Sequence, residues 1–265
     1  MGQIKSNQQL IGLYGLLGYP LTHSFSQKYF TEKFAREGRE GCLYRNFPIT
    51  DIGLLRQFLS QQPDLYGFNV TIPYKEQMVP LMDELDVLAA KVGAVNTVQV
   101  LRNGTNIHLK GYNTDVYGFS QSLKEWVTLC NTALPRQALV LGTGGASKAV
   151  ICALSDFDIV TRLVSRQEGK GIYKTYNQIG ADDIASHLLI VNATPLGMFP
   201  NTDECPAIPY QYLTEKHYLY DLVYNPEETL FMRKGIERGA SVYNGERMLH
   251  LQADKAWEIW NNYKL

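Results

Sequence analysis

The sequence predicts an α/β protein of two domains: an N-terminal α/β domain, then a doubly wound parallel sheet. Three observations carry this prediction. The chain has 265 residues, enough for two ordinary domains with sizeable cores. Short apolar runs of strand character alternate with runs of helical period, the pattern of helices packed on a largely parallel sheet. One strand, at 137–142, runs straight into a glycine turn and a helix, as the first unit of a doubly wound sheet does.

The elements follow in order. Residues 11–18, IGLYGLLG, read as a buried strand ending in glycine, and Ser26 to Arg36 as a helix. Strands rich in aromatic and branched residues are predicted at 42–47 and 65–70. Between them Ile52, Leu55 and Leu59 fall at helical spacing after Asp51. Residues 92–114 read as a β-hairpin with Asn103-Gly104 at its tip. The change from hairpin to helix puts a domain boundary at 113/114, and a helix over Val116–Cys130 opens the second domain. After the Leu134-Pro135 break come strand 137–142, a helix to Leu154, and strands at 162–166, 187–194 and 217–223. A helix over 227–239 stops at Gly239, and a strand over 240–245 precedes a last helix with Met248, Leu251, Ala256 and Ile259 on one face. The segment 168–183 is glycine-rich and a poor amphipathic helix, so a shortened connection is predicted there.

Composition narrows the function classes. Lys+Arg 25 against Asp+Glu 26 gives a net charge of -1, without the basic excess of a nucleic-acid binder. No apolar run is long enough to span a bilayer. Cys42, Cys130, Cys152 and Cys205 are scattered and read as reduced thiols of a cytoplasmic protein. The five histidines form no metal-ligand spacing, so no metal is predicted. The start, MGQIKSNQQL, has no apolar core of a signal peptide; Gly2 and Ser6 fit a loose acylation pattern, but a polar leader is the better reading.

The glycine turn Gly142-Thr143-Gly144-Gly145-Ala146-Ser147 sits where a dinucleotide loop sits, with Ser147 in place of the usual third glycine. A turn without a ligand is the plain alternative; strand before and helix after favour a pyrophosphate site. The next strand ends Ser165-Arg166, with Lys170 four residues on. A hydroxyl and two cations suit a 2′-phosphate, hence NADP (NADPH), with Glu168 as the counter-argument. In the first half Ser24 and Ser26 follow a Gly-Tyr-Pro turn and could reach one carboxylate, or cap a helix. Asn69, Thr71 and Lys75, then Asn96, then Asn113 and Asp115, supply neutral donors, one cation and one anion. Each alone fits a turn or cap; together they suit a small polyhydroxylated substrate.

These motifs resemble the shikimate dehydrogenase family. The matching stretches are Ser24-x-Ser26, NVTIPYK at 69–75, GAVNT at 93–97, GYNTD at 111–115, GTGGAS at 142–147, NATPLGM at 192–198 and DLVYNP at 221–226, with Gly245, Met248 and Gln252. The resemblance implies NADPH-dependent, reversible reduction of 3-dehydroshikimate to shikimate in aromatic amino acid (chorismate) biosynthesis. It implies a substrate domain over 1–113, completed by 246–265, and a Rossmann-like NADP-binding domain over 114–245. By motif position Lys75 and Asp115 would be the catalytic pair. Ser24 and Ser26 would hold the substrate carboxylate. Asn69, Thr71, Asn96, Asp115 and Gln252 would bond the ring hydroxyls, and Tyr224 would line the pocket. The cofactor would meet the glycine turn, Ser165, Arg166, Lys170, Thr194, Met198, Leu222, Gly245 and Met248. The family commonly has Asn-Arg-Thr after the second strand; Ser165-Arg166-Gln167 departs from it. The implied partners are small molecules, with neither nucleic acid nor membrane, for a monomer or homodimer. Two rivals remain: a quinate/shikimate dehydrogenase with relaxed cofactor use, against which Ser26 leans, and a silent metabolite sensor, against which Lys75 and Asp115 argue.

Overall fold

The computed structural model describes residues 12–21, 25–131 and 133–262. The predicted leader, the first residue of the first strand and Ser24 lie outside the described residues. Cα packing divides the chain into a first unit, Met1–Asn113 with Ala256–Leu265, and a second unit, Thr114–Lys255. The last helix therefore passes from one unit to the other at 255/256, whereas the resemblance puts the return at 246.

The first unit runs β1 (Gly12–Gly18), α1 (Phe25–Arg36), β2 (Cys42–Pro48), α2 (Leu55–Ser60), β3 (Leu65–Val70), β4 (Glu84–Leu85), α3 (Val87–Val92), β5 (Thr97–Asn103) and β6 (Asn106–Tyr112). The strand order is β2-β1-β3-β5-β6-β4. β2, β1 and β3 are mutually parallel; β5 turns antiparallel to β3 and to β6, while β4 runs parallel to β6. Leu17, Leu59, Leu65, Phe68, Val98 and Leu109 are buried in its core.

Three details correct the sequence expectations. The hairpin's first strand starts at Thr97, not near 92, because residues 87–92 form α3. That helix was not anticipated, though its signals are present: the Asp86 carboxylate accepts from Ala89 N and Leu88 N, and Gly93 ends it in the left-handed region. The hairpin tip is Gly104-Thr105, since Asn103 pairs with Asn106 as a strand residue. Gly104 has φ +60 and Thr105 is not left-handed, the arrangement of a turn with glycine at its first central position.

The second unit runs α4 (Thr114–Leu129), β7 (Gln137–Leu141), α5 (Gly145–Ser155), β8 (Val160–Ser165), β9 (Lys174–Thr175), α6 (Ala181–Ser186), β10 (Leu189–Asn192), β11 (Tyr218–Asp221), α7 (Leu230–Ile236), β12 (Ser241–Tyr243) and the first part of α8 (Glu246–Asn261). Its strands are all parallel, in the order β9-β8-β7-β10-β11-β12. The chain builds outward from β7 through β8 to β9, then returns to lay β10 on the other side. This is the doubly wound order of a dinucleotide-binding domain, and its switch point lies between β7 and β10. The predicted shortened connection is real: no helix lies between β8 and β9. Gly169 and Gly171 interrupt a segment with no apolar face, so nothing there could pack as a crossover helix. α7 begins later than predicted because Thr229 caps it, accepting from Met232 N.

The buried face of α8 is wider than the predicted stripe. Ile259 is half-buried, whereas Trp257 and Trp260 are buried. Trp260 Nε1 donates to Val98 O at 3.0 Å, and its indole occupies the space where a side chain at Gly67 would stand. Trp257 Nε1 donates to Glu37 Oε2 at 2.8 Å.

Candidate functional site

In the first unit four motif segments are stitched together by their backbones. Thr71 N donates to Leu17 O at 2.9 Å, and Val70 N to Asn96 O at 2.8 Å. Val95 N donates to Lys75 O at 2.8 Å, and Asn96 N to Tyr112 O at 3.0 Å. The Asn113 amide donates to Ala94 O at 2.9 Å. Thr71, Lys75, Asn96 and Asn113 are thus gathered at one end of β3, β5 and β6. Tyr74 is buried and its hydroxyl donates to Ile49 O at 2.7 Å, which anchors the turn carrying the half-buried Lys75.

Asn69 is buried, and both ends of its amide are engaged. Its Oδ1 accepts from Tyr44 Oη at 2.8 Å; its Nδ2 donates to Thr97 Oγ1 at 3.1 Å and to Asn96 O at 3.4 Å. Ser26, in the first turn of α1, hydrogen-bonds the Tyr44 phenol. Burial pushes that phenol far above the usual tyrosine range, so it is a standing donor. Tyr44 and Thr97 were not singled out from the sequence. Their signal is a hydroxyl on an inward-facing strand position, which must find a partner.

In the second unit Asp115 lies buried in the first turn of α4, where the helix dipole favours an anion. Beside it, Thr114 Oγ1 donates to Gln252 Oε1 at 3.4 Å, and Gln252 Nε2 donates to Leu249 O at 2.9 Å. Gly118 permits this approach: a Cβ there would come within 2.7 Å of Met248 O. A two-point contact of Arg247 with Glu125, at 2.6 and 2.8 Å, ties the same helices.

The switch point is built from the ends of β7, β10 and β11. Gly142 has φ +106, and a Cβ on it would meet Thr194 Cγ2 at 2.8 Å, so only glycine makes this turn. Gly144 precedes α5 and has open space where a side chain would stand. Ser147 is buried and its hydroxyl donates to Gly144 O at 2.6 Å, so the residue in the third-glycine position braces the loop internally. Asn192 Oδ1 accepts from Thr194 N at 3.1 Å and Oγ1 at 2.6 Å, shaping the turn towards the exposed Met198. Asn192 Nδ2 donates to Asp221 Oδ1 at 2.9 Å. Asp221 also accepts from Val223 N at 3.0 Å and Thr229 Oγ1 at 2.6 Å, shaping the turn of Leu222 and the partly buried Tyr224. Gly245 lies against the Leu222 carbonyl where a Cβ could not fit, and Met248 is buried in the helix that follows. Asn192 and Asp221 are therefore the residues that shape both turns, and the sequence reading missed them; their signal is a polar residue ending an apolar strand.

At the end of β8, Arg166 and Lys170 are exposed. Glu168 is drawn aside: its Oε1 accepts from Gln178 Nε2 at 3.1 Å, while Gln178 Oε1 accepts from Thr175 N at 2.8 Å. The carboxylate that counts against a 2′-phosphate is thus tethered to the next turn. An open glycine cradle at a helix N-terminus, with two exposed cations one strand away, fits a phosphorylated dinucleotide. Among the described residues, no helix is long and apolar enough to cross a membrane, and all four cysteines carry free thiols.

Comparison with known proteins agrees with this geometry. Residues 16–98 match the family described as shikimate dehydrogenase substrate binding domain. The shikimate dehydrogenase (NADP(+)) of Desulforamulus reducens is 34% identical, over 94% of this chain and 89% of that relative. The shikimate 5-dehydrogenase of Thermus thermophilus, solved with NADP(H) and shikimate, matches with a TM-score of 0.80 at 28% identity, over 96% of this chain and 94% of that one. The quinate dehydrogenase of Corynebacterium glutamicum, solved with NAD, matches with a TM-score of 0.81 at 28% identity, over 95% and 94%. With such identity sustained along nearly its whole length, this chain belongs to the shikimate dehydrogenase family.

Proposed function

We propose that this protein is an NADP-dependent oxidoreductase that reversibly reduces 3-dehydroshikimate to shikimate, in the cytoplasmic route to chorismate and the aromatic amino acids. The observation that carries the reading is 34% identity to a shikimate dehydrogenase (NADP(+)) along 94% of the chain.

A bound nicotinamide would supply the hydride for the carbonyl carbon. What remains for the protein is charge, protons and position. Negative charge builds on the carbonyl oxygen as the carbon is reduced. The Lys75 ammonium stabilises that charge and delivers the proton that completes the hydroxyl; in the other direction the neutral Lys75 amine takes the proton and becomes that ammonium. Asp115, the other member of the pair, accepts from a substrate hydroxyl. Ser24 and Ser26 receive the carboxylate. Thr71, Asn96 and Gln252 bond the ring hydroxyls, and Tyr224 closes one wall. Asn69 braces this set through Tyr44 and Thr97, and the second lone pair of its Oδ1 accepts from a ring hydroxyl. Gly142 through Ser147 cradle the pyrophosphate; Thr194, Met198, Leu222, Gly245 and Met248 form the nicotinamide side, and Ser165, Arg166 and Lys170 the 2′-phosphate side. Substrate and cofactor are the partners, for a monomer or homodimer.

A steady-state assay with shikimate and quinate, each against NADP+ and NAD+, tests the reading. Turnover of shikimate with NADP+ well above the other three combinations is expected. Quinate turning over as well as shikimate would favour the quinate/shikimate alternative, which the likeness to a quinate dehydrogenase keeps open. The 2′-phosphate assignment has its own test. Arg166→Ala should raise the KM for NADPH by about one to two decades, the worth of a charge-assisted contact, and leave the KM for NADH nearly unchanged. Equal losses with both cofactors would remove Arg166 from the phosphate site.

A further inference from the structure

We propose that Tyr44 is a positioning residue for substrate binding: its hydroxyl ties Ser26 to Asn69, and the chain of hydrogen bonds continues through Thr97 to fix the amide of Asn96. The inference rests on the functional reading above, in which Ser26 and Asn96 contact substrate.

All four links belong to the first unit, and Tyr44, Asn69, Asn96 and Thr97 are no more than 5% exposed. The chain has one direction. Tyr44 Oη donates to Asn69 Oδ1 at 2.8 Å. Asn69 must therefore turn its Nδ2 to Thr97 Oγ1, at 3.1 Å. The Thr97 hydroxyl, having accepted that bond, donates to Asn96 Oδ1 at 3.1 Å. Asn96 thus keeps its oxygen towards Thr97 and presents its Nδ2 as the donor on its other side. Reversing the Asn69 amide would set its Oδ1 against the Asn96 carbonyl, acceptor against acceptor in a buried place, so that carbonyl fixes the direction of the chain.

The hydroxyl of Tyr44 has no packing purpose. The ring stacks on Phe30 with centroids 4.5 Å apart and planes 11° apart, and a phenylalanine would fill the same space. A buried hydroxyl is costly unless paired. Both of its partners, Ser26 and Asn69, stand in motifs of the proposed substrate site. One phenol on β2 therefore couples the residue meant for the carboxylate to a residue meant for a ring hydroxyl.

Steady-state kinetics and thermal denaturation of Tyr44→Phe, Thr97→Val and Thr97→Ser test this. Tyr44→Phe and Thr97→Val should each raise the KM for shikimate by about three- to tenfold, the worth of one oriented hydrogen bond. Their kcat and their KM for NADP+ should stay near wild type, because the contact serves ground and transition states alike. Thr97→Ser keeps the hydroxyl and should restore the wild-type KM. A shikimate KM within twofold of wild type in both Tyr44→Phe and Thr97→Val, whatever the melting temperature does, would overturn the inference. Should Tyr44→Phe fail to fold, the contrast of Thr97→Val with Thr97→Ser decides alone. A wild-type enzyme inactive on shikimate overturns the functional reading and this inference with it; an active wild type with unaltered variants overturns the inference only.

Discussion

Lys75→Ala should lower kcat for shikimate oxidation by NADP+ by about a hundredfold to a thousandfold, while the KM for shikimate moves little. The expected split follows from where the charge appears. In the ground state of the oxidation the reacting hydroxyl is neutral and gains little from the neutral amine beside it. In the transition state the oxygen carries much of a negative charge, and the ammonium forming on Lys75 as it takes the proton is then worth several kcal/mol. The backbone holds Lys75 firmly enough for that role. Its carbonyl is fixed by Val95 N at 2.8 Å, and its neighbour Tyr74 is anchored to Ile49 O. The competing reading is an ordinary surface ion pair, worth less than about 1 kcal/mol and silent in kinetics. Asp115→Asn should also lower kcat. If the two act as a unit, the double variant should be far less impaired than the product of the single losses. A Lys75→Ala enzyme within tenfold of wild-type kcat would leave the ion-pair reading standing.

How much of this was legible in the sequence depends on the kind of residue. The doubly wound sheet was legible because β7, β10 and β11 are apolar runs ended by turn residues, and because the glycine turn follows β7 directly. β9 was not, since a two-residue strand carries no periodicity. α3 was missed although Asp86 and Gly93 mark its ends, because six residues show less than two turns of pattern. The residues proposed to face a ligand stand out in the sequence as polar side chains in places where packing does not want them: Thr71, Lys75, Asn96, Asp115. The residues that brace them do not. Tyr44, Thr97, Asn192 and Asp221 look like ordinary strand residues until their partners, distant in sequence, are known. Asn69 illustrates the difficulty. Its position in NVTIPYK reads as a substrate contact, and its amide also braces Tyr44, Thr97 and the Asn96 carbonyl. The pattern of residue types does not show such bracing; hydrogen-bond geometry does.

Asp221→Ala should lower the melting temperature by about 6–12 °C and raise the KM for NADPH. Asp221 is fully buried at the end of β11 and accepts from Asn192 Nδ2, Val223 N and Thr229 Oγ1. Removing its carboxylate strands three donors in the interior, each at about 1–3 kcal/mol, so the loss is at least about 3 kcal/mol. At roughly 2–4 °C per kcal/mol for a chain of this size, that gives the range above. The cofactor effect follows because Asn192 and Asp221 together shape the turns bearing Thr194, Met198 and Leu222. Asp221→Asn separates shape from charge. It keeps the bonds to Oδ1 and asks only that Thr229 change from donor to acceptor. Burial pushes the Asp221 carboxyl up to about 6, against an ordinary 3.8. Its folded-state pKa is raised, so the native state holds this proton more tightly than the unfolded chain. The stabilisation from that proton is complete below pH 3.8 and is lost as pH rises through about 6. The change amounts to about 3 kcal/mol across that window. Asparagine does not titrate, so the stability of Asp221→Asn relative to wild type should climb by about that amount from pH 4 to pH 7 and then level. Urea denaturation of both proteins at half-unit pH steps would measure it, since other titrating groups cancel in the difference. A difference that stays flat across the window would mean that Asp221 keeps its ordinary acidity despite its burial, and that the three donors alone outweigh the cost of holding a charge there.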